Sequence, residues 1–310
     1  MTPEELRDRL LVVGEAVRDD VLTACRAQTV EQLSAWDDSG GGDTAFAVDR
    51  VSEDRLRALV ADLPVRLVAE GIVDDAPDAE WTLLADPLDG TRPLAHQKRS
   101  AWVLLGATRG RTLGALEVSV VVEVPTVKAG WGDVLSAVRG QGTRGERVDL
   151  RDGSRVALPV VPSRARGIEQ GYGGVARYFP GARAELAAID DAVHRRELGP
   201  ARPGKAQAFE DQWCTGGTLA ELAVGHDRWA ADLRPLLGDR AGICAHPSDL
   251  AGWLVAAEAG LHVVRPDGGA LDAPLDLTSD VAWAAYANDA VRALVEPALQ
   301  AELRERGLLG

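Results

Sequence analysis

The sequence predicts a layered α/β protein, and three observations predict it. Leu6, Leu10, Val13, Val17 and Val21 recur at helical spacing within residues 3–37, with charged residues between them. Residues 100–107, 114–124 and 131–138 are apolar runs rich in β-branched side chains, with turns between them. The chain closes on a further strand over 281–287 and a helix from Asp289. With 310 residues, 46% of them hydrophobic, it can bury a large core, as one sizeable domain or two packed halves.

In chain order, the helical N-terminal stretch breaks near Gln28-Thr29. Asp37-Asp38-Ser39-Gly40-Gly41-Gly42-Asp43 is a turn-rich, flexible segment. A helix is expected over 51–63, with Asp49 as a candidate N-cap. A β-run over 65–69 ends on Glu70-Gly71, where an isolated acid is ordinarily solvated. The apolar run Trp81-Thr82-Leu83-Leu84 then delivers Ala85-Asp86-Pro87-Leu88-Asp89-Gly90-Thr91. This is a short buried strand, two carboxylates three positions apart, and a Gly-Thr turn with Pro93 in the first turn of a helix. After the central β-runs, 156–161 reads as a strand and 182–195 as a helix, and a subdomain boundary falls within 145–160. Thr215-Gly216-Gly217-Thr218 opens a helix, and 228–232 reads as a strand. His246-Pro247-Ser248-Asp249 precedes an apolar helix over 253–259, with Asp249 again a candidate N-cap. A strand over 261–264 and the turn Pro266-Asp267-Gly268-Gly269 lead to the C-terminal elements.

The formal net charge of -14 argues against non-specific binding of nucleic acid or an acidic membrane, because either needs a basic face. A phosphorylated substrate is still allowed, since a bound cation reverses the local field. No apolar stretch is long enough to cross a bilayer, and Met1-Thr2-Pro3-Glu4-Glu5 lacks the basic and apolar regions of a signal peptide. A cytoplasmic location is expected. Cys25, Cys214 and Cys244 are odd in number and lack metal-ligand spacing, so they read as reduced core residues.

The chemistry concentrates at residues 86–91. Asp86 and Asp89 share the mouth of one turn, where they repel unless a divalent ion or a proton neutralises them. The helix start beside them offers backbone donors to an anion such as phosphate. Asp-Pro and Asp-Gly also occur in plain turns, so the segment alone leaves both readings open. Its spacing does not reproduce the alternating Asp-x-Asp of haloacid-dehalogenase phosphatases, which use one aspartate as nucleophile, and covalent aspartyl chemistry is therefore not expected.

Asp86-Pro87-Leu88-Asp89-Gly90-Thr91 resembles the signature of the inositol monophosphatase and fructose-1,6-bisphosphatase superfamily, the lithium-sensitive, magnesium-dependent phosphatases. Asp249-Leu250-Ala251-Gly252, followed by Glu258-Ala259-Gly260, is similar to its second signature. Glu70 matches the first glutamate of its Gly-Glu-Glu segment, and Thr215-Gly216-Gly217-Thr218 its Gly-Thr motif. The resemblance spans residues 43–145 and 214–299. It departs from the pattern at Gly71, where a second acid is usual and Asp74 or Asp75 could substitute. It departs also at Ser248, where a tryptophan is usual, and in the lysine-free Gly40-Gly41-Gly42 loop.

The resemblance implies an αβαβα sandwich with mixed sheets. Residues 1–150 would form an α+β subdomain carrying most metal ligands, and 151–310 an α/β subdomain carrying Asp249 and the substrate side. Glu70, Asp86, Asp89, Asp249 and the Leu88 carbonyl would hold two or three Mg²⁺ ions, or Mn²⁺, as all-oxygen donors favour. Asp49, Glu70 and Thr91 would be catalytic, Thr91 paired with Asp49 to activate the attacking water. The N–H groups of Gly90 and Thr91 would bind the phosphate, with Gly217, Thr218 and Asp232 on the substrate side. The implied activity is hydrolysis of a small phosphomonoester, a cyclitol, sugar or nucleoside phosphate, by a homodimer. Two alternatives stay open: a nucleotidase of the 3′-phosphoadenosine-5′-phosphate type, and a catalytically weak, metal-binding regulatory homologue. Arg92, Lys98 and Arg99 either contact a second anionic group or offset local acids.

Overall fold

A computed structural model describes residues 1–37, 45–69, 72–73, 79–205 and 207–310, with Asp37, Ala45, Ile72 and Val73 described by backbone alone. The first helix, α1 (Pro3–Ala27), starts at a capping box in which Thr2 and Glu5 satisfy each other's backbone N–H groups, with Pro3 just inside. A short α2 (Val30–Leu33) follows the expected break, and the two-residue strands β1 (Trp36–Asp37) and β2 (Ala45–Phe46) pair antiparallel. Then come α3 (Ala47–Val60), β3 (Val65–Ala69), β4 (Ile72–Val73), β5 (Trp81–Asp89), α4 (Thr91–Ala95), β6 (Ala101–Thr108), β7 (Val118–Val124), β8 (Trp131–Val138), β9 (Thr143–Asp149) and β10 (Arg155–Ala157). The rest comprises β11 (Tyr172–Val175), α5 (Arg183–Leu198), α6 (Thr215–Ala223), β12 (Asp227–Asp232), α7 (Trp253–Glu258), β13 (His262–Val264), β14 (Trp283–Tyr286) and α8 (Asp289–Glu305).

Among the described residues, eight strands form one sheet in the order β10-β9-β8-β7-β6-β5-β3-β4, and four form a second in the order β11-β12-β14-β13. Both are mixed: β3 and β5 run parallel in the first and β11 and β12 in the second, the other pairs being antiparallel. Three cores hold five layers together. The stripe Leu6, Leu10, Val13, Val17 and Val21 of α1, with α3, covers one face of the large sheet. Each of these buried aliphatic side chains contributes about 1.5–3 kcal/mol. On the opposite face, α6 and α7 are sandwiched between the two sheets in a second core. The outer face of the small sheet is covered by α5 and α8 in a third. The result is an α-β-α-β-α stack, and β5 and β6 read as continuous apolar runs because helices cover both of their faces. No helix among the described residues is long and apolar enough to cross a membrane.

Local differences from expectation have local causes. The helix expected from residue 51 starts at Ala47: Asp49 is its third residue and not its N-cap, and its carboxylate accepts a hydrogen bond from the N–H of Phe46, the N-cap residue, at 2.7 Å. The strand expected over 156–161 ends at Ala157, where Pro159 and Pro162 supply no N–H to extend the ladder. Strand β11 was not expected, since Tyr172-Gly173-Gly174-Val175 has neither alternation nor β-branched density. It exists because Gly173 packs directly on Trp229, where a Cβ would lie 2.5 Å from the indole.

Candidate active site

The two aspartates of the strand-to-helix junction sit where β5 loses register with β6: Asp86 pairs with Leu104 and Asp89 with Trp102, with a bulge between. Asp86 Oδ1 accepts from the Leu88 N–H at 2.9 Å, closing the turn around Pro87. Gly90 follows with φ +91°, the left-handed region, and caps α4. A Cβ there would be strained and would press on Cys214 Sγ at 3.3 Å. Thr91 Oγ1 then lies 2.6 Å from Asp49 Oδ1 and 2.7 Å from the Leu88 carbonyl. Its single proton can serve only one of them at a time.

Asp249 arrives from the far side of the chain on the 3₁₀ turn Ser248–Leu250. Its Oδ2 accepts from the His246 N–H at 2.6 Å, so it belongs to its own turn and does not cap α7, which starts after Gly252. That turn is seated on the large sheet: Ser119 Oγ donates to the Ala251 carbonyl at 2.7 Å, and Gly106 makes room for the same carbonyl. One carboxylate oxygen from each of Asp86, Asp89 and Asp249 lies within 4.8 Å of the others. Asp86 and Asp89 are buried. Burial raises the carboxyl pKa of Asp89, and the Asp249 charge adds to that; burial raises Asp249 as well. Three mutually repelling oxygen donors in a buried site, without His or Cys among them, fit a hard divalent cation.

The start of α6 abuts this cluster. The N–H groups of Gly216 and Gly217 donate to Asp89 Oδ2 at 2.6 and 3.3 Å, so the helix end supports the carboxylate. Thr218 turns inward, its hydroxyl donating to the Cys214 carbonyl at 2.7 Å. Asp232 lies at the end of β12 and is fully buried; Arg234 Nε reaches both its oxygens, at 2.9 and 3.1 Å, and Arg234 Nη2 lies 2.5 Å from Oδ2. Arg234 also donates to the Tyr178 hydroxyl at 2.9 Å and the Ile243 carbonyl at 2.9 Å. Glu70, Gly71, Asp74, Asp75 and the Gly40-Gly41-Gly42 loop lie outside the described residues. All three cysteines are buried and free of disulfides.

The structure thus brings Asp86, Asp89 and Asp249 together, and beside them Asp49, Thr91 and the Leu88 carbonyl. It ties Asp232 to Arg234. Sequence reasoning missed Tyr178, Phe179 and Arg234 around this site. Only Arg234 had a signal, a cation two positions after an acid at a strand end.

No family model matches the chain, and no curated protein matches it in sequence. Solved structures do. The extragenic suppressor protein SuhB from Bartonella henselae superposes with a TM-score of 0.69 at 16% identity, covering 96% of this chain and 98% of that one. SuhB from Mycobacterium tuberculosis gives 0.65 at 20% identity, covering 97% of each. The inositol monophosphatase from Anabaena (Nostoc) sp. PCC 7120 gives 0.63 at 17% identity, covering 97% of this chain and 96% of that one. With its five alternating layers and mixed sheets, the chain shares the fold of these SuhB and inositol monophosphatase structures.

Proposed function

We propose that this protein is a metal-dependent phosphatase that hydrolyses a small phosphomonoester by in-line attack of water. The observation that carries the reading is the meeting of three carboxylates with a threonine–aspartate pair at one turn. Asp86, Asp89 and Asp249 would hold the cation, with Glu70 and the Leu88 carbonyl as further donors and Mg²⁺ as the ion their chemistry suits. When bound, Mg²⁺ supplies Lewis-acid stabilisation of negative charge on the phosphoryl and leaving oxygens.

The chain's own residues do the rest. The N–H groups of Gly90 and Thr91, at the start of α4, would face an anion favourably. Thr91 Oγ1 would accept a proton from the attacking water while passing its own to Asp49 Oδ1, 2.6 Å away. Asp49 is held for this by the Phe46 N–H on its other oxygen. The water oxygen would form a bond to phosphorus as the ester P–O bond breaks, and the departing alkoxide would take a proton from solvent water, with the proton held on Asp49 returned to solvent. No covalent enzyme intermediate is needed.

The test is phosphate release from a panel of metabolite phosphomonoesters with Mg²⁺, for the wild type, Asp89→Asn and Thr91→Val. Release should fall at least about a hundredfold in either variant, the scale of a lost general base. Undiminished release by Asp89→Asn would place the chemistry elsewhere. The absence of release from every ester would leave the regulatory, non-enzymatic alternative.

A further inference from the structure

At the C-terminal end of α6, opposite the end that donates to Asp89, the large sheet and the helix enclose a cavity of about 440 Å³. Its floor is one row of side chains across four strands. The strand register pairs Trp102 with Glu123 and Asp133 with Arg147, and the Asp133 N–H joins the two pairs by donating to Glu123 Oε2 at 3.0 Å. Trp131 and Leu135, two positions either side of Asp133 on β8, point to the same face, and Trp131 stands half-exposed at the edge. Glu221, Val224 and His226 close the cavity from the helix side.

The cations around this space are already claimed. Arg147 holds Asp133 through two hydrogen bonds, at 2.6 and 2.8 Å, His226 pairs with Glu221, and Arg99 pairs with Asp211. Glu123 accepts only from neutral donors, the Ser100 hydroxyl at 2.6 Å and the Asp133 N–H, and no cation pairs with it among the described residues. Asp227, the residue after His226, is 7% exposed, and its carboxylate has neither a hydrogen bond nor an ion pair among the described residues. Burial raises the pKa of both carboxyls, Asp227 to about 7, and the Glu221 charge adds to each. A buried carboxylate without a cation is costly to keep charged, so positive charge brought between these acids is stabilised.

We infer that this cavity binds a small aliphatic amine carrying two or more ammonium groups. An ammonium has three N–H donors and no acceptor, which suits carboxylate oxygens that take one neutral donor and keep a lone pair. Two acids without cations, Glu123 and Asp227, each with Glu221 as a charge neighbour, call for more than one positive group. The Trp102 and Trp131 indoles with Leu135 and Val224 give the methylene stem an apolar wall, and an indole face also attracts an ammonium. A bare metal ion is not favoured, because among the described residues the acids here do not bring ligand atoms together as Asp86, Asp89 and Asp249 do. The volume is instead that of a site for an organic molecule. The cavity would serve this purpose whether or not the acid cluster hydrolyses phosphate.

The test is calorimetric titration of the full chain with spermidine at about 150 mM NaCl, where long-range attraction to the net charge is screened. Spermidine should bind at one site with a Kd below about 1 mM and raise the Tm. Hexane-1,6-diol, a stem without charge, and tetramethylammonium, a charge without N–H donors, should bind at least about tenfold more weakly. Glu123→Gln and Asp227→Asn should each weaken spermidine by about tenfold, and Trp131→Ala by about threefold or more. Circular dichroism reports which variants fold, and Trp131→Ala, at the half-exposed edge, keeps the test open if the buried acid variants do not. Asp89→Asn should bind spermidine as the wild type does; a loss there would move the amine to the acid cluster and overturn the inference. No binding in this range, equal binding of either control compound, or unchanged affinity in Trp131→Ala and in every acid variant that folds overturns it as well. So does sedimentation showing an oligomer that Glu123→Gln dissociates, since the cation would then be a side chain of a second copy.

Discussion

Replacing Asp89 by asparagine should stabilise the metal-free protein while removing its response to magnesium. One carboxylate oxygen from each of Asp86, Asp89 and Asp249 lies within 4.8 Å of the others. Two unit charges at that distance repel by about 3.5 kcal/mol at an effective dielectric of about 20. Against this, the N–H groups of Gly216 and Gly217 would donate to a neutral amide oxygen in place of a carboxylate, a loss of about 1 kcal/mol. The net expectation, at pH 8 with EDTA, is that Asp89→Asn unfolds at higher urea, gaining about 2 kcal/mol. Saturating Mg²⁺ at a hundredfold excess over its Kd should raise the wild type by about 2.7 kcal/mol and the variant by much less. The two curves should therefore close up when the ion is added. A variant clearly less stable than wild type in EDTA, or an equal gain from Mg²⁺ in both, would show that these carboxylates are not held together at a cost that a cation relieves.

Arg234→Leu strands a fully buried Asp232 without its partner and should cost about 3–5 kcal/mol in urea unfolding, whereas an exposed ion pair would cost under about 1. Gly106→Ala places a Cβ 2.5 Å from the Ala251 carbonyl and 2.8 Å from Leu116, so it should destabilise by about 1–3 kcal/mol. Because that carbonyl seats the turn carrying Asp249, the Mg²⁺-dependent rise in Tm should shrink as well, and an unchanged rise would detach the turn from the cation. Asp227 is pushed up to about 7, chiefly by burial and then by Glu221 and Asp211. The native state then holds a proton that the unfolded chain releases near pH 4, so stability falls as pH rises from about 4 to about 7. Relative to Asp227→Asn, the wild type should lose about 2–3 kcal/mol between pH 5 and pH 8. Parallel stability profiles for the two proteins would contradict the assignment.

The features read from sequence were those whose cause is local. The period of Leu6, Leu10, Val13 and Val17 marks α1, because one helical face must be buried wherever that helix packs. The turn at residues 86–91 was legible because strand end, acids, glycine and threonine lie within six residues, and their geometry is set by neighbours in the chain. The glycine turn opening α6 was visible for the same reason, although its role as a support for Asp89 was not. Even the resemblance that linked Asp249 with Asp86 and Asp89 named the partners without the contacts that unite them.

Tertiary structure decided the rest. Asp249 reaches the cluster because Ser119 and Gly106, on two neighbouring strands, receive the Ala251 carbonyl, a fit that no local pattern encodes. The resemblance puts Asp232 on the substrate side, but only the fold pairs it with Arg234, two residues on. Arg92 lies between rings from residues 46 and 179 only because the layers stack as they do. By itself, the sequence determined which residues could carry charge, turn or apolar surface, since those are properties of residues and their immediate neighbours. Which charges are neutralised and which groups face the same space depends on packing between distant segments, and only the assembled layers could decide that.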